Sequence, residues 1–493
     1  MMNGSEKSDS AIVAMKLANK AASAAAEWVE PRAGTKGNAE QPRTQRTQRR
    51  ASVSPGLLRV RSAAKQRKKE KFTALLHHVT IDLLRDAFLA LKRRAAPGVD
   101  GVTWQDYEAK LESNLQDLHQ RVHRGAYRAQ PVRRRFIPKP GTDKLRPLGI
   151  AALEDKIVQR AVVVVLNAVY EEDFLGFSYG FRPGRGPHDA LDALAVAISS
   201  TPVNWILDAD IRGFFDSLSQ QWLIQFLEHR IGDERIIRLV RKWLKAGVLD
   251  GGEWSVSDEG TPQGAVISPL LANVYLHYVF DLWAQQWRRR EATGNMIVVR
   301  YADDLVAGFE HEADAKRFWD AMRARFAQFG LELHEQKTRL LEFGRSAAGR
   351  RLRFGLGKPE TFNFLGFTFI CGKSRRGAFL LRRQTRRDRM RAKLREVKEE
   401  LRHRRHAPVP DQGRWLKSVV TGFFAYHAVP TNTRALQAFR YHVVVLWRRA
   451  LQRRSQRGRV TWPRIERLAS IWLPAPRVLH PWPSERFAVK HPR

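Results

Sequence analysis

The sequence predicts an α+β fold, and three observations predict it. Residues 296–309 read MIVVRYADDLVAGF, two short apolar runs around a polar centre, which is typical of a β-hairpin. Residues 205–210 read WILDAD and form a second apolar run that ends on carboxylates. Apolar residues recur at helical spacing over long stretches elsewhere, for example across residues 75–91 and 390–401. The chain therefore combines short buried strands with long amphipathic helices.

Charge indicates the class of partner. The 493 residues carry 87 Lys+Arg against 50 Asp+Glu, a formal net charge of +37. Self-repulsion of this size opposes compaction, so folding alone does not explain it. A polyanionic partner does explain it, and nucleic acid is the partner we expect. The alternative is a solvated basic surface with no specific partner.

Cysteine content and hydropathy point to a reducing, cytoplasmic setting. Cys371 is the single cysteine, so it cannot form a disulfide within the chain or a paired-cysteine zinc site. The longest strongly apolar run, residues 161–166, is far shorter than a membrane span. The N-terminus lacks the apolar core of a secretory signal. We therefore expect no membrane partner.

The first 70 residues differ from the rest of the chain. They contain 15 Lys+Arg and 6 Asp+Glu and are rich in Ala, Ser and Gln. This composition predicts a basic, largely disordered tail. From residue 71 onward the pattern becomes globular.

The carboxylates of the hairpin are the candidate catalytic groups. Asp303 and Asp304 are adjacent at its turn, and two neighbouring like charges are costly unless a cation neutralises them. Asp210, at the end of the 205–210 strand, is the candidate third ligand; Asp208 and Asp216 compete for that role, and a turn or helix cap is the alternative for Asp210 alone. Carboxylates of this kind suit Mg²⁺, and a pair of such ions suits phosphoryl transfer from a nucleotide.

Six motifs follow one another in an order that resembles the group II intron reverse transcriptases, the maturase-type proteins of bacterial mobile introns. They cover roughly residues 75–370. They are Arg146-Pro147-Leu148-Gly149-Ile150, Ser178-Tyr179-Gly180-Phe181-Arg182-Pro183-Gly184, Asp210-Ile211-Arg212-Gly213-Phe214-Phe215-Asp216, Thr261-Pro262-Gln263-Gly264, Tyr301-Ala302-Asp303-Asp304 and Phe364-Leu365-Gly366-Phe367.

The resemblance implies a right-hand polymerase with fingers, an antiparallel palm sheet and a helical basic thumb. Residues 71–200 would form the fingers with an N-terminal extension, residues 201–350 the palm, and residues 351–493 the thumb, or maturase domain, with a C-terminal tail. Asp210, Asp303 and Asp304 match the family's catalytic, metal-binding triad.

The resemblance also implies nucleotide-binding residues. Lys139 and Arg146 match residues that grip the triphosphate, with a generic RNA contact as the alternative. Phe215 matches the aromatic that closes off the sugar 2′ position, with a plain core residue as the alternative. Gln263 and Gly264 match a loop beside the nucleotide. Lys337 matches a basic residue near the departing pyrophosphate, with an ordinary surface lysine as the alternative.

The region after residue 375 is predicted to bind RNA. Residues 382–405 carry 12 Lys+Arg and 4 Asp+Glu with a thin apolar seam, which predicts a helix with a broad basic face suited to phosphate contacts. Arg182 in the glycine-rich loop is a further candidate. The candidate RNA contacts after residue 375 are Arg382, Arg386, Arg389 and Lys393. Five aromatics could stack on bases or lie in a core, namely Trp415, Phe423, Phe424, Tyr426 and Trp447.

The resemblance implies an RNA-directed DNA polymerase that extends a DNA 3′-OH on intron RNA with Mg²⁺ and dNTPs and assists splicing. Its expected partners are group II intron RNA, an RNA template with a DNA primer, and a DNA target. Many relatives end in a zinc-containing HNH endonuclease, which we do not expect here because its paired cysteines are missing. The alternatives are a free-standing bacterial reverse transcriptase of the retron or phage-defence type, or a non-enzymatic RNA-binding splicing helper.

Overall fold

The computed structural model describes residues 54–138, 145–255, 259–261, 264–455 and 459–490. Its architecture is α+β, as predicted. A 3₁₀ turn at Leu76–His78 and a π-helical turn at His277–Asp281 interrupt the regular elements. The strands are β1 (Val132–Pro138), β2 (Leu145–Ile150), β3 (Trp205–Asp210), β4 (Val248–Asp250), β5 (Glu253–Ser255), β6 (Met296–Tyr301), β7 (Asp304–Phe309), β8 (Arg339–Glu342), β9 (Phe362–Phe364), β10 (Phe367–Lys373) and β11 (Phe379–Thr385).

The α-helices alternate with these strands in the first four-fifths of the chain and then follow them. They are α1 (Pro55–Gln66), α2 (Ile81–Leu89), α3 (Trp104–Glu108), α4 (Leu111–His123), α5 (Leu153–Asp173), α6 (Pro187–Ser200), α7 (Phe214–Ser217), α8 (Gln220–Arg230), α9 (Glu234–Lys245), α10 (Ser268–Leu276), α11 (Leu282–Arg290), α12 (Glu312–Gln328), α13 (Ala347–Arg353), α14 (Arg387–His403), α15 (Val409–His427), α16 (Thr433–Gln452), α17 (Trp462–Trp472) and α18 (Pro483–Lys490).

Helix α1 lies inside the segment predicted to be a disordered tail, and the prediction is wrong for this part. The Ser54 side chain caps the helix, and Leu57 and Ala64 are buried. Helix α1 packs against α5, and Arg61 forms an ion pair of 2.8 Å with Glu172. Burial of this apolar face offsets the entropy of ordering the helix. Residues 1–53 lie outside the described residues.

A four-stranded antiparallel sheet, in the order β6-β7-β3-β8, forms the centre of the molecule. Side chains alternate between its faces with the period of two that strands impose. On one face, Leu207 and Ala307 join a large apolar cluster that also contains residues of α2, α5, α8–α10 and α12. On the other face, Ile206 and Val306 join a cluster with α6 and the strands β9 and β10. The sheet is therefore covered on both sides.

Two smaller sheets lie beside the central one. Strands β1 and β2 form the basic hairpin that the sequence predicted, with Arg133 opposite Ile150. This hairpin continues into a sheet of order β2-β1-β4-β5, in which β1 and β4 run parallel. The third sheet has the order β11-β10-β9 and is antiparallel.

The helices after β11 build a separate apolar cluster. Helix α14 contributes its predicted thin seam, since Val397 and Leu401 are buried and Met390 and Leu394 partly so. Trp447 of α16 is completely buried and its indole N–H donates to Gln412 Oε1 at 2.9 Å. In the part of the chain that the structure describes, no helix has both the length and the apolar character needed to cross a bilayer.

Candidate active site

Two strands from distant parts of the sequence bring the predicted carboxylates together. Strand β3 pairs with β7 so that Asp210 lies directly opposite Asp304. Directly opposed residues of antiparallel strands have Cβ atoms about 4.5–5.5 Å apart on one face of the sheet. The sequence prediction that Asp210 meets the hairpin tip is therefore confirmed at the level of strand register.

The hairpin turn presents Asp303 beside Asp304. Strands β6 and β7 pair up to Tyr301 and Asp304, which leaves a two-residue turn of Ala302 and Asp303. Ala302 has a φ of 54°, the left-handed conformation that tight hairpin turns require. Asp303 and Asp304 are half-buried, so their carboxylates lie at the boundary between the sheet and solvent.

The carboxylate of Asp210 forms an ion pair with a lysine. The Lys337 ammonium lies 2.7 Å from Asp210 Oδ2, so a cationic group neutralises the carboxylate at the end of β3. Over the described ranges, no group of three or more His, Cys, Asp or Glu side chains is arranged to hold a metal ion. The backbone thus aligns Asp210 with Asp304, while the side chain of Asp210 bonds to Lys337.

Asp208, the competing carboxylate, lies two residues deeper on the same face of β3. It is opposite Val306 rather than at the tip. Burial raises the pKa of its carboxyl to about 6, against the opposing effect of Arg339, whose Nη2 lies 3.8 Å away. Asp216 is exposed at the end of the short helix α7. Of the three candidates, Asp210 alone faces the hairpin carboxylates.

A buried ionic network supports the turn. Arg300, the residue before Tyr301, donates from Nε to Asp281 Oδ1 at 2.7 Å and from Nη2 to Asp281 Oδ2 at 2.5 Å. Arg300 also donates to Asn273 Oδ1 at 2.9 Å and to the Ala302 carbonyl at 3.2 Å. The network thus fixes the backbone that carries Asp303. Sequence reasoning missed it, although an arginine inside a strand of otherwise buried residues was an available signal.

The glycine-rich loop touches the same turn. Its Tyr179 N–H donates to the Arg300 carbonyl at 2.8 Å, and Asn273 Nδ2 donates to the Gly180 carbonyl at 2.7 Å. A Cβ added at Gly180 would lie 2.2 Å from the Ala302 nitrogen. Glycine is therefore required here because the two backbones are in contact.

Arg182 does not fit its predicted role as an RNA contact. Its side chain is completely buried and forms a 3.0 Å ion pair with Glu171. Its Nη1 donates to the carbonyls of Leu175 and Ser178, each at 2.8 Å. These partners neutralise the guanidinium charge and accept its hydrogen bonds inside the protein. Arg182 is therefore a structural residue of the glycine-rich loop, and the prediction that it contacts RNA is corrected.

The loop before α10 joins two of the predicted nucleotide-binding elements. Thr261 N–H donates to the Phe215 carbonyl at 2.8 Å. Gly264 has a φ of +114°, and a Cβ there would lie 2.5 Å from the Gly149 carbonyl oxygen of β2. Thr261 therefore contacts α7, and Gly264 contacts the basic hairpin that carries Arg146. Phe215 is partly buried against the large cluster, and Lys139 and Gln263 lie outside the described residues.

The predicted RNA contacts after residue 375 lie on β11 and α14. Arg382 and Arg389 are exposed. Arg386 forms a 2.7 Å ion pair with Asp388, and Lys393 forms a 2.9 Å ion pair with Glu396. Of the five aromatics that could stack or be buried, four are core residues and Tyr426 is half-buried. The buried four are Trp415, Phe423, Phe424 and Trp447.

Parts of the chain are similar to known proteins. Residues 137–369 match the family described as reverse transcriptase (RNA-dependent DNA polymerase). The chain is 41% identical over 248 residues to Protein YkfC of Escherichia coli K12, covering 44% of this chain and 64% of that protein. It is 34% identical over 222 residues to Group II intron-encoded protein LtrA of Lactococcus lactis, covering 45% of this chain and 37% of that protein.

A third relative comes from a plant. The chain is 29% identical over 177 residues to Nuclear intron maturase 3, mitochondrial, of Arabidopsis thaliana, covering 31% of this chain and 24% of that protein. The chain thus spans less than two thirds of the length of each of these three relatives. The central region nevertheless carries both the family match and the aligned carboxylates. Residues 137–369 are thus similar to the reverse transcriptases, and the chain resembles group II intron-encoded proteins and intron maturases.

Proposed function

We propose that this protein is the RNA-directed DNA polymerase of a mobile group II intron. It would extend a DNA 3′-OH on intron RNA with dNTPs, and it would bind the intron RNA to assist splicing. In this proposal residues 71–200 are the fingers, residues 201–350 the palm and residues 351–493 the thumb. The observation that carries the proposal is the register that sets Asp210 opposite Asp304.

The donor set fits magnesium. Carboxylate oxygens are the ligands that Mg²⁺ prefers, usually one or two with water and substrate phosphates completing the shell. The Lys337 ammonium at Asp210 Oδ2 supplies positive charge where a cation would bind. Asp210, Asp303 and Asp304 would hold the metal ions. Bound magnesium would neutralise the charge that develops on the nucleotide phosphates.

The protein's own residues would position the substrates. Gly264 lies against Gly149 and the Leu148 side chain of the basic hairpin, on which Arg146 would bind the triphosphate. Phe215, half-buried on α7, would lie against the sugar and favour deoxynucleotides. The ion pair of Arg300 with Asp281 would fix the position of the hairpin carboxylates Asp303 and Asp304 without contacting the substrate.

The basic C-terminal helices support the RNA-binding part of the proposal. Their exposed arginines suit phosphate contacts, which position an RNA without reading its sequence. The names of the LtrA protein and the plant maturase connect such relatives with introns. Binding should weaken steeply as salt increases, because each neutralised phosphate releases counterions.

Primer extension tests the polymerase. A DNA primer annealed to an RNA template is incubated with dNTPs and Mg²⁺, using wild type, Asp210→Asn and Asp216→Asn. Asp210→Asn should lower the rate by at least about a thousandfold, since it removes charge from the reacting centre. Asp216→Asn is the matched control, a neighbouring exposed carboxylate, and should keep the wild-type rate. An inactive wild type, or an active Asp210→Asn, would overturn the proposal.

A splicing assay separates the two functions. The double variant Asp303→Ala with Asp304→Ala should abolish DNA synthesis while preserving splicing of the parent intron RNA. Preserved splicing with no DNA synthesis even in wild type would favour the non-enzymatic splicing helper. Simultaneous loss of both activities in the double variant would argue against separate sites.

A further inference from the structure

Two aromatic rings lie exposed and parallel on the C-terminal helices. Tyr441, in the middle of α16, is 57% exposed, and Trp462, the first residue of α17, is 39% exposed. Their ring centroids are 6.4 Å apart and their planes differ by 8°. The aromatics named in the sequence analysis as stacking candidates are mostly buried, whereas a planar ligand can reach these two rings from solvent.

Arginines flank the rings. Arg448 lies with its guanidinium carbon 4.6 Å from the centre of the Trp462 ring, and its Nε donates to the Val460 carbonyl at 2.9 Å. Arg434 precedes Tyr441 by seven residues and Arg448 follows it by seven. Residues seven apart share one helix face, so the three side chains form a line on α16 about 21 Å long.

The charge around the rings is predominantly positive. Arg459 and Arg464 are exposed beside Trp462, and Glu466 is an exposed acidic residue one helical turn further along α17. A protein partner would favour a wider apolar patch with depleted charge. Alternating aromatic rings and arginines instead match the way proteins bind single-stranded nucleic acid, with bases on the rings and phosphates on the cations.

We propose that Arg434, Tyr441, Arg448 and Trp462, here called the stacking strip, bind unpaired nucleotides. Tyr441 and Trp462 would stack on bases, and the two arginines would contact phosphates. Duplex bases are already stacked on one another, so the rings would discriminate in favour of single strands. The identity of the natural RNA rests on the proposed function, whereas the binding itself does not require polymerisation.

Equilibrium binding to labelled single-stranded poly(U) RNA tests the stacking strip in the full chain. Tyr441→Ala should weaken the affinity about tenfold, since a stacked base contributes this much or more. Tyr441→Phe should keep wild-type affinity because it keeps the ring. Trp482→Ala is the matched control, an exposed tryptophan (47% exposed) directly before α18, a helix that packs against α6, and should have no effect. Trp462→Ala should reproduce the loss independently.

Binding to a second ligand, an RNA duplex, distinguishes the contribution of base stacking to affinity from that of charge. Affinity for a blunt RNA duplex should be unchanged in Tyr441→Ala and weaker in Arg434→Ala, because the duplex offers phosphates without accessible bases. Equal loss for both ligands in Tyr441→Ala would overturn the stacking role. Wild-type poly(U) affinity in both ring variants would also overturn it, and altered self-association of those variants would then identify the strip as a protein interface.

Primer extension distinguishes this proposal from the proposed function. If the wild type binds poly(U) through the rings but never extends a primer, the polymerase proposal fails and the stacking strip stands.

Discussion

Arg300 and Asp281 form a bidentate ion pair in which both side chains are completely buried. The pair links the strand before the hairpin turn to the π-helical turn that follows α10. Desolvation of two charges is costly, and the pair is tolerated because both oxygens of Asp281 are bonded and Arg300 has further acceptors. Its position indicates that it serves the geometry of the turn.

Asp281→Asn should destabilise the protein strongly. The amide keeps the shape of the side chain but leaves the Arg300 charge buried without its counterion, which costs about 3–5 kcal/mol. The measurement is the midpoint of thermal or urea unfolding. Asp320→Asn removes an exposed ion pair with Arg323 and should change stability by no more than about 0.5 kcal/mol. Equal effects of the two variants would show that the buried pair has no special role.

Gly180→Ala should slow DNA synthesis without unfolding the protein. The added Cβ would lie 2.2 Å from the Ala302 nitrogen, so the turn carrying Asp303 must shift. A displacement of about 1 Å at a reacting centre can cost about a hundredfold in rate. Gly176→Ala is the control, since a Cβ there meets nothing within 4 Å. A wild-type extension rate for Gly180→Ala would show that the contact between Gly180 and Ala302 is not needed for DNA synthesis.

Lys337→Met should lower the Mg²⁺ concentration that gives half-maximal primer extension. The ammonium 2.7 Å from Asp210 Oδ2 competes with a metal for the same oxygen, and its removal also leaves the site more negative. We expect a decrease of about two- to fivefold, since both groups are partly exposed and solvent screens them. Lys316→Met, which removes an exposed lysine of α12 paired with Glu312, should leave the Mg²⁺ dependence unchanged. A higher half-maximal concentration in Lys337→Met would contradict the competition.

Asp155 should make stability depend on pH. Burial raises the pKa of its carboxyl from 3.8 to about 6, against the opposing hydrogen bonds from Tyr127 and Gln130. A raised carboxyl pKa means that the folded state binds the proton more tightly. Stability therefore decreases as pH rises from about 4 to about 6 and is then constant, by up to about 3 kcal/mol in all.

The check is the unfolding midpoint of wild type and Asp155→Asn across that pH range. The variant is less stable at low pH, because the amide has one acceptor oxygen where Asp155 has two, which accept hydrogen bonds from Tyr127 O–H and Gln130 N–H. The difference between the two proteins should nevertheless narrow as pH rises. A difference that is constant with pH would refute the titration.

The sequence was sufficient for the parts of the site that depend on local pattern. Short apolar runs define β3, β6 and β7, and the positions of Asp210 and Asp304 at strand ends follow directly. The meeting of these two residues required one further assumption, that both strands share a sheet. The resemblance to a known family supplied that assumption, and the register that sets Asp210 opposite Asp304 is seen only in the folded chain.

The remaining features depend on contacts between distant segments. Arg182 looks like a free cation in a glycine-rich loop, and only the folded chain shows that Glu171 and two carbonyls enclose it. Helix α1 looks like part of a basic tail, and its docking on α5 involves two buried side chains, Leu57 and Ala64, and the ion pair of Arg61 with Glu172. Long-range partners of this kind have no signature in composition or periodicity.

The turn that carries the paired carboxylates also limits how this protein could be engineered. Ala302 is buried in a left-handed conformation, and β-branched or bulky side chains are strained there. Mutant libraries intended to change fidelity or processivity should therefore hold position 302 at alanine or glycine. Variation is better directed to the half-exposed surfaces around Phe215 and Arg146, where side chains can change without moving the backbone that aligns the acids.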